Sequence, residues 1–390
     1  MSLDLDKSTW NRVTFGDVVE NLNVTVRDAA AAGIDRIIAM EHLDPGELKI
    51  SRWSSPEDGT TFTRRVRPGQ TLFGKRRAYQ RKAAYVEFDA ICSGDILVFE
   101  ADPALLLPEF LPFIVQSNSF YHHALGTSAG SLSPRTNWRD LATFEFDLPS
   151  LDEQKRIAAL LWAVERERRA GSDLLSAMVA VRDTVVDKRF VAGGHGVLQD
   201  LCDAEGIRIG PFGSQLHAYD YVDDGECPVV MPQDMIDGRI STASIQRITD
   251  KRADKLSVHR LRAGDVVLPR RGELDRRALI TEAEEGWLCG TGSVRVRVRG
   301  DVPTRAVFLA LSSTATVNWL KANATGTTMP NLNAAIVARI PISIPSGAAL
   351  RQALAEVDAL DLAIRDINER AVTGRSVRST FLAEIFGRAA

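Results

Sequence analysis

A chain that carries the same ordered signals twice must fold into two related halves. This chain does so at a spacing of about half its 390 residues. Arg67-Pro68-Gly69-Gln70, inside RVRPGQTL, is echoed by Arg262-Ala263-Gly264-Asp265, inside RLRAGDVV, at an offset of 195. Gly126-Thr127-Ser128 is echoed by Gly326-Thr327-Thr328 at an offset of 200. Leu148-Pro149-Ser150 is echoed by Ile344-Pro345-Ser346 at an offset of 196. Both halves end alike, on Lys188-Arg189-Phe190 and Glu384-Ile385-Phe386. Four matches in one order at nearly constant offset indicate duplication with divergence.

Each half divides again, giving four segments: 1–150, 151–192, 193–346 and 347–390. The first and third are short-period. Phe88–Ile91 and Asp95–Phe99 read as strands about a Ser93-Gly94 turn, and Ser293–Arg299 alternates strictly, as a half-buried strand does. The second and fourth are helical. Ile157, Leu160, Leu161, Val164, Leu174, Leu175, Met178, Val181 and Val185 step by threes and fours. So do Leu350, Leu354, Val357, Leu360, Ile364, Ile367, Val377, Phe381 and Ile385. Pro149-Ser150 and Pro345-Ser346 supply the start signals. Helices of about 35–40 residues span near 55–60 Å. Their stripes are covered most economically by each other, in an antiparallel coiled coil. The alternative is two amphipathic helices packed separately on their own domains. Gly171-Ser172 and Thr373-Gly374 interrupt the stripes and are candidate kinks. The expected fold class is α+β: two pseudo-symmetric, β-rich mixed domains separated by two long antiparallel helices that form a coiled-coil rod.

The common catalytic motifs of a stand-alone enzyme are missing, which argues against activity without excluding it. There is no GxxxxGK[ST], HExxH or GxSxG, no kinase motif set, and no Asn or Asp followed by Pro-Pro and an aromatic residue. The four cysteines, Cys92, Cys202, Cys227 and Cys289, form no CxxC pair and read as reduced buried thiols. The six histidines, His42, His122, His123, His195, His217 and His259, show no metal spacing. MSLDLDKSTW has neither the basic nor the apolar region of a signal peptide, and the greasiest stretch, Ala104–Val115, is broken by Pro108, Glu109 and Pro112. A cytoplasmic, non-catalytic protein that binds no membrane and no metal is expected.

The net charge of −3 excludes a globally basic nucleic-acid binder, so any such contact must be local. Two local clusters exist. Arg64, Arg65, Arg67, Lys75, Arg76, Arg77, Arg81 and Lys82 lie in a stretch without an acid, with Phe73 and Tyr79 interleaved. Lys251, Arg252, Lys255, Arg260, Arg262, Arg270, Arg271, Arg276 and Arg277 are accompanied by four acids. A solvated basic face is the ordinary explanation of a charge run. Recurrence at comparable places in an acidic repeat protein favours DNA or RNA. Arginine dominates, and it can bond a guanine edge as well as a phosphate. The loops GTSAGSLSPR (126–135) and TGTTMPNLN (325–333), and Gly210-Pro211-Phe212-Gly213-Ser214, are small and polar. They suit close approach to a phosphate or partner, or simply a surface turn.

With these residues the chain resembles the specificity subunit of type I restriction-modification systems. The order of recognition domain, long helix, recognition domain, long helix is the family's. Leu148-Pro149 followed by Glu153-Gln154, Ile157 and Leu160-Leu161 resembles its entry into the first helix. LFGKRRAYQRKAAY (72–85) and SGDILVF (93–99) resemble one recognition-domain type; GIRIGPFGSQL (206–216), Asp237–Ile240 and Gly264–Val267 resemble another. The second helix departs by lacking the Glu-Gln pair.

The resemblance implies that each recognition domain reads one half of a bipartite, asymmetric site in double-stranded DNA, and that the helix pair sets the spacer. It also implies docking of two methylation subunits and of motor-nuclease subunits, with S-adenosylmethionine, ATP and Mg²⁺ belonging to those partners. A related type II system with fused methylase and nuclease, a stand-alone enzyme such as a nuclease with a degenerate site, and a scaffold without a DNA role remain alternatives. The candidate DNA-binding residues are Arg64, Arg65, Lys75, Arg76, Arg77, Tyr79, Arg81, Lys82, Ser128, Ser131 and Arg135 in the first domain. In the second they are Ser214, Gln215, Arg270, Arg271, Arg276, Arg277 and Thr328. Candidate partner-docking positions on the helices are Gln154, Ile157, Leu161, Val164, Leu354, Val357 and Ile364.

Overall fold

A computed structural model describes residues 5–130, 134–190, 196–325 and 331–387. Ser131, His195 and Thr328 lie outside the described residues. The chain forms two compact units. One comprises Met1–Asp173 with Ile367–Ala390, the other Leu174–Asp366. The two long helices, Leu151–Arg189 and Gly347–Phe386, run unbroken through the Gly171 and Gly374 positions, so neither glycine ends a helix. Each contributes one part to each unit.

The first unit is built on a four-stranded antiparallel sheet ordered Val19–Leu22, Ile96–Ala101, Thr71–Gly74, Ala83–Tyr85. The second has the same sheet, ordered Cys202–Ile209, Ser293–Val298, Val266–Pro269, Ala278–Leu279. Smaller sheets also correspond. Ile37 pairs parallel with Ile91 and bridges Ser54 on its other side, as Val229 pairs parallel with Leu288 and antiparallel with Gln246. Arg65 opposite Ile91 is matched by Arg260 opposite Leu288.

The turns that first betrayed the repeat are the same turn. Gly69 (φ 90°) and Gly264 (φ 91°) occupy the left-handed region, where a Cβ would be strained. Arg67 donates its amide to Gln70 Oε1, and Arg262 donates its amide to Asp265 Oδ2. Ser117 and Ser313 likewise cap equivalent helices, accepting from the amides of Phe120 and Thr316. The loop echo needs a correction. The bridges Ala129–Arg135 and Thr325–Asn331 relate the described ends of the loops at an offset of 196, while Gly326, Thr327 and Thr328 of the echo lie outside the described residues. Similar small residues had been matched without their pairing partners.

The strand Ser293–Val298 also departs from expectation. Alternation predicts one wet face, yet Arg295 and Arg297 are buried. Arg297 pairs with Asp265 at 2.7 Å, and both arginines face Glu205. Two carboxylates from neighbouring strands and turns replace the water that the alternation led one to expect.

In the first unit Phe15, Phe73, Phe99 and Phe120 interlock with ring centroids 5.0 to 6.0 Å apart. Ile157, Ala158 and Leu161 of the first long helix and Phe381 and Ile385 of the second join this core. In the second unit Val186 and Phe190 of the first helix meet Ala353 and Val357 of the second. The start of each helix thus packs beside the end of the other within a unit, the antiparallel arrangement that the stripes predicted.

One loop glycine carries a sharp expectation. A Cβ on Gly210 would fall 1.8 Å from Gly290 O, while one on Gly213 meets nothing within 4 Å. Gly210→Ala is expected to destabilise the second unit by about 1–3 kcal/mol, as overpacking does. Gly213→Ala should stay within about 0.5 kcal/mol. Thermal unfolding of the two variants side by side checks this.

Candidate nucleic-acid interface

In the first unit the strand Thr71–Gly74 runs directly into Lys75-Arg76-Arg77. Pro134, Arg135 and Thr136 return alongside. Arg76 bridges Arg135, Lys75 O accepts from the amide of Thr136 at 2.8 Å, and Arg77 donates its amide to Pro134 O at 2.9 Å. Sequence reasoning picked these two segments separately; the structure joins them.

Asp95 sits among their cations, 2.8 Å from Arg76 and 4.0 Å from both Lys75 and Arg135. One carboxylate against three cations leaves the cluster net positive. Burial, with Arg64, Arg135 and Arg76 nearby, lowers the Lys75 pKa, against the pull of Asp95.

Next along the chain is a knuckle. Arg77 (φ 53°) and Arg81 (φ 55°) flank the short turn Ala78–Gln80, both in the left-handed region. For non-glycine residues this costs on the order of 1–3 kcal/mol each. The knuckle buries Ala78 and leaves Tyr79 56% exposed. Strain of this kind concentrates where geometry is functional.

Other predicted residues of this unit have their head groups engaged inside it. Arg64 donates to Asn23 Oδ1 at 3.0 Å and to Ile96 O. Arg65 pairs with Asp89 at 3.1 Å. Arg81 donates to Gln116 O at 3.0 Å and lies over the Tyr121 ring, and Lys82 donates to Met40 O at 2.7 Å. Ser128 donates to Ala124 O at 2.7 Å and contacts Thr136 Oγ1, stitching its loop down. The exposed surface is therefore narrower than the basic run: Arg67, Arg77, Tyr79 and Arg135, with Lys75 and Arg76 partly covered.

The second unit repeats the frame. Arg271 bridges Asn331, Leu332 donates its amide to Arg270 O at 2.7 Å, and Arg270 donates its amide to Gly292 O at 2.7 Å. That last bond matches Lys75 N to Asp95 O in the first unit. Glycine stands where Asp95 stands, so the carboxylate has no counterpart at this position. Instead the Arg270 guanidinium lies 5.2 Å over the ring of Phe212, which is 53% exposed. Ser214 and Gln215 are exposed on the same turn, which is closed by Phe212 N to Gln215 Oε1 at 3.2 Å. Arg276 is half-buried against Glu273 and Gln233 O.

Arg277 is a correction. It is 6% exposed, donates to Asp275 O, and has its pKa lowered to about 10 by burial. It points away from solvent. Phe212 and Tyr219, the latter 78% exposed and stacked on His217 at 4.9 Å, were missed as surface residues. An aromatic between two glycines (Gly210-Pro211-Phe212-Gly213) was the available signal for the first of them.

The partner-docking positions also need correction. Gln154, Ile157, Leu161 and Val357 are buried. Ile157, Leu161 and Val357 face their own unit's core. Gln154 accepts from the Leu107 amide and donates to Leu105 O and Pro149 O, each at 2.9 Å. It stitches the helix start to its own domain. Its lack in the second helix removes an internal clamp, not a partner contact. Val164, Leu354 and Ile364 are half-buried. The exposed large apolar positions of these helices are others: Leu151, Leu160 and Val372 in the first unit, Leu174, Val179, Val181 and Leu362 in the second.

Between the helices, ion pairs recur at equivalent places. Arg378 faces Glu165 at 3.9 Å in the first unit, and Arg182 holds Asp361 at 3.1 Å in the second, both partners offset by 196.

Among the described residues no group of three His, Cys, Asp or Glu is placed to hold a metal, and no helix is long and apolar enough to cross a membrane. All four cysteines are buried and unpaired, and burial pushes the Cys92 and Cys289 thiols up to about 12.

Residues 37–170 match the family model of the type I restriction modification DNA specificity domain. The whole chain is similar in fold to the S subunit of a type I restriction-modification system from M. genitalium. There the identity is 14%, 100% of this chain and 99% of that one are covered, and the TM-score is 0.59. It is also similar to a chain from a structure of complex assembly and conformational transition in a type I R-M system. There the identity is 18%, the coverage 97% and 98%, and the TM-score 0.56. No curated protein matches the chain in sequence.

Proposed function

We propose, from the match of residues 37–170 to the type I restriction modification DNA specificity domain and from the likeness in fold to S subunits, that the two units of this chain each read one half of a bipartite, asymmetric DNA site. The observation that carries this reading is the shared frame. A basic strand end is bridged to a small polar loop, Arg76 to Arg135 in one unit and Arg271 to Asn331 in the other. Equivalent frames with different side chains suit two unlike half-sites. Arg77 and Tyr79 serve the first, and Phe212, Arg270 and Arg271 the second.

The long helices, each running from one unit into the other, set the spacer between the half-sites. Their exposed apolar positions receive methylation subunits, and motor-nuclease subunits join for cleavage. Methyl transfer and translocation, with S-adenosylmethionine, ATP and Mg²⁺, reside in those partners. The chain itself contributes recognition, not catalysis, inside the cytoplasm.

The test is co-expression with a methylation subunit of the same system, followed by methylome sequencing of host DNA. The expected result is a two-part motif with a modified adenine in each part. A complex that forms without modifying DNA would overturn the reading, and so would a failure of the two chains to associate.

The electrostatics give a separate expectation. Asp95→Asn removes the carboxylate that Lys75, Arg76 and Arg135 share. Binding to non-cognate duplex should tighten, and the slope of log K against log salt should steepen by about 0.9 for each cation freed to meet a phosphate. A salt titration on random-sequence DNA measures both.

A further inference from the structure

Glu165 is a fully buried carboxylate on the first long helix. It holds Arg168, one turn on, through two bonds of 2.8 and 3.0 Å, and faces Arg378 of the second helix at 3.9 Å. Burying three charged groups between helices is expensive, and an apolar contact of the same volume would commonly serve stability as well. Such a cluster calls for a reason beyond stability. Its outer contacts supply one, because both arginines reach the same loop. Arg168 pairs with Glu47, and Arg378 Nη1 donates to Gly46 O at 2.9 Å. Gly46 then donates its amide to Arg81 O at 3.1 Å, and Arg81 is the left-handed residue that closes the Tyr79 knuckle. Gln116 ties the same parts from beneath, donating to Glu47 O and accepting from Arg81.

The equivalent pair in the second unit is built otherwise. Asp361 is partly exposed, and its further partner is Arg305, on the helix Thr304–Ser312. The wiring to a reading loop is a property of the first unit.

We propose that Glu165, Arg168 and Glu47 are positioning residues for the Tyr79 knuckle: they fix the angle at which Tyr79 and Arg77 meet DNA and couple the helix pair to reading of the first half-site. This rests on the DNA-reading function proposed above. The bonds to Glu165 and Glu47 raise the Arg168 pKa and keep its guanidinium charged.

The test uses the full complex with its methylation partner and duplexes carrying one mismatched base pair in either half-site. Glu47 is the variant of choice because its side chain is 36% exposed and its loss leaves the core intact. Glu47→Gln is expected to reduce the mismatch penalty about ten-fold in the half-site whose penalty Tyr79→Ala also lowers. The penalty in the other half and the salt slope should be unchanged. Glu47→Gln added to Tyr79→Ala should have little further effect, a non-additivity that a merely structural role would not produce. An unchanged penalty in the folded complex, or equal losses in both halves, would overturn the positioning role. A wild-type complex with no mismatch penalty in either half would overturn the DNA-reading function itself, and this inference with it.

Discussion

Glu165→Ala is expected to be among the most destabilising single substitutions in this chain. The carboxylate is buried, and its loss leaves Arg168 and Arg378 facing each other between the helices. Burial already lowers the Arg378 pKa, and Glu165 is the first neighbour that opposes this. Removing one partner of a buried ion pair costs about 3–5 kcal/mol. In a unit of this size that is roughly 6–20 °C of melting temperature, at about 2–4 °C per kcal/mol. Asp361→Ala is the internal control. Its side chain is 26% exposed and water can replace it, so a loss nearer 1 kcal/mol is expected. Calorimetry of the two variants measures the difference. Equal small shifts would mean that water reaches Glu165 as easily as Asp361. Replacing Glu165, Arg168 and Arg378 together by Met or Leu should recover much of the loss, because no charge is then left unpaired.

That asymmetry illustrates what the sequence could and could not disclose. The repeat was legible because it is written in local chemistry. A glycine with positive φ inside RPGQ and RAGD, a serine cap, and a Pro-Ser start before an apolar stripe each act within a few residues. The long helices were legible for the same reason. What the stripe could not disclose was the identity of its cover. Ile157 and Val357 look the same whether they meet their own core or a partner, and the structure assigns them to the core.

The basic runs were misread in the same direction. A run of arginines advertises positive charge, but neutralisation is non-local. Asp89 answers Arg65 from 24 residues away, Gln116 answers Arg81 from 35, and Glu205 answers Arg297 from 92. Composition alone could not have separated Arg77 from Arg81, four residues apart: one is exposed and the other is tied to Gln116 and Tyr121. Nor could it foresee that Asp95 has a glycine as its counterpart in the second unit.

The division of the chain into two units predicts that recognition can be removed one half at a time. Tyr79 is exposed beside Arg77 on the strained knuckle, and Phe212 is exposed beneath the Arg270 guanidinium. An aromatic face that stacks on a base is worth about 1–3 kcal/mol. An arginine that reads a base edge is worth about the same. The double variant Arg77→Ala with Tyr79→Ala is therefore expected to lose about 2–6 kcal/mol toward the cognate site, from roughly thirty-fold upward in affinity. The loss should appear as vanished discrimination in one half-site, with mismatch penalties in the other half retained. Phe212→Ala with Arg271→Ala should give the mirror result. The alternative is contact with phosphate alone, and salt separates the two. Phosphate contacts predict uniform weakening on every sequence and a slope smaller by about 0.9 per arginine removed. Base contacts predict a nearly unchanged slope and a lost preference. If each double variant weakened both half-sites equally, Tyr79 and Phe212 would be surface aromatics of two backbone-gripping domains, and the bases would have to be read by other side chains on the same bridged frames.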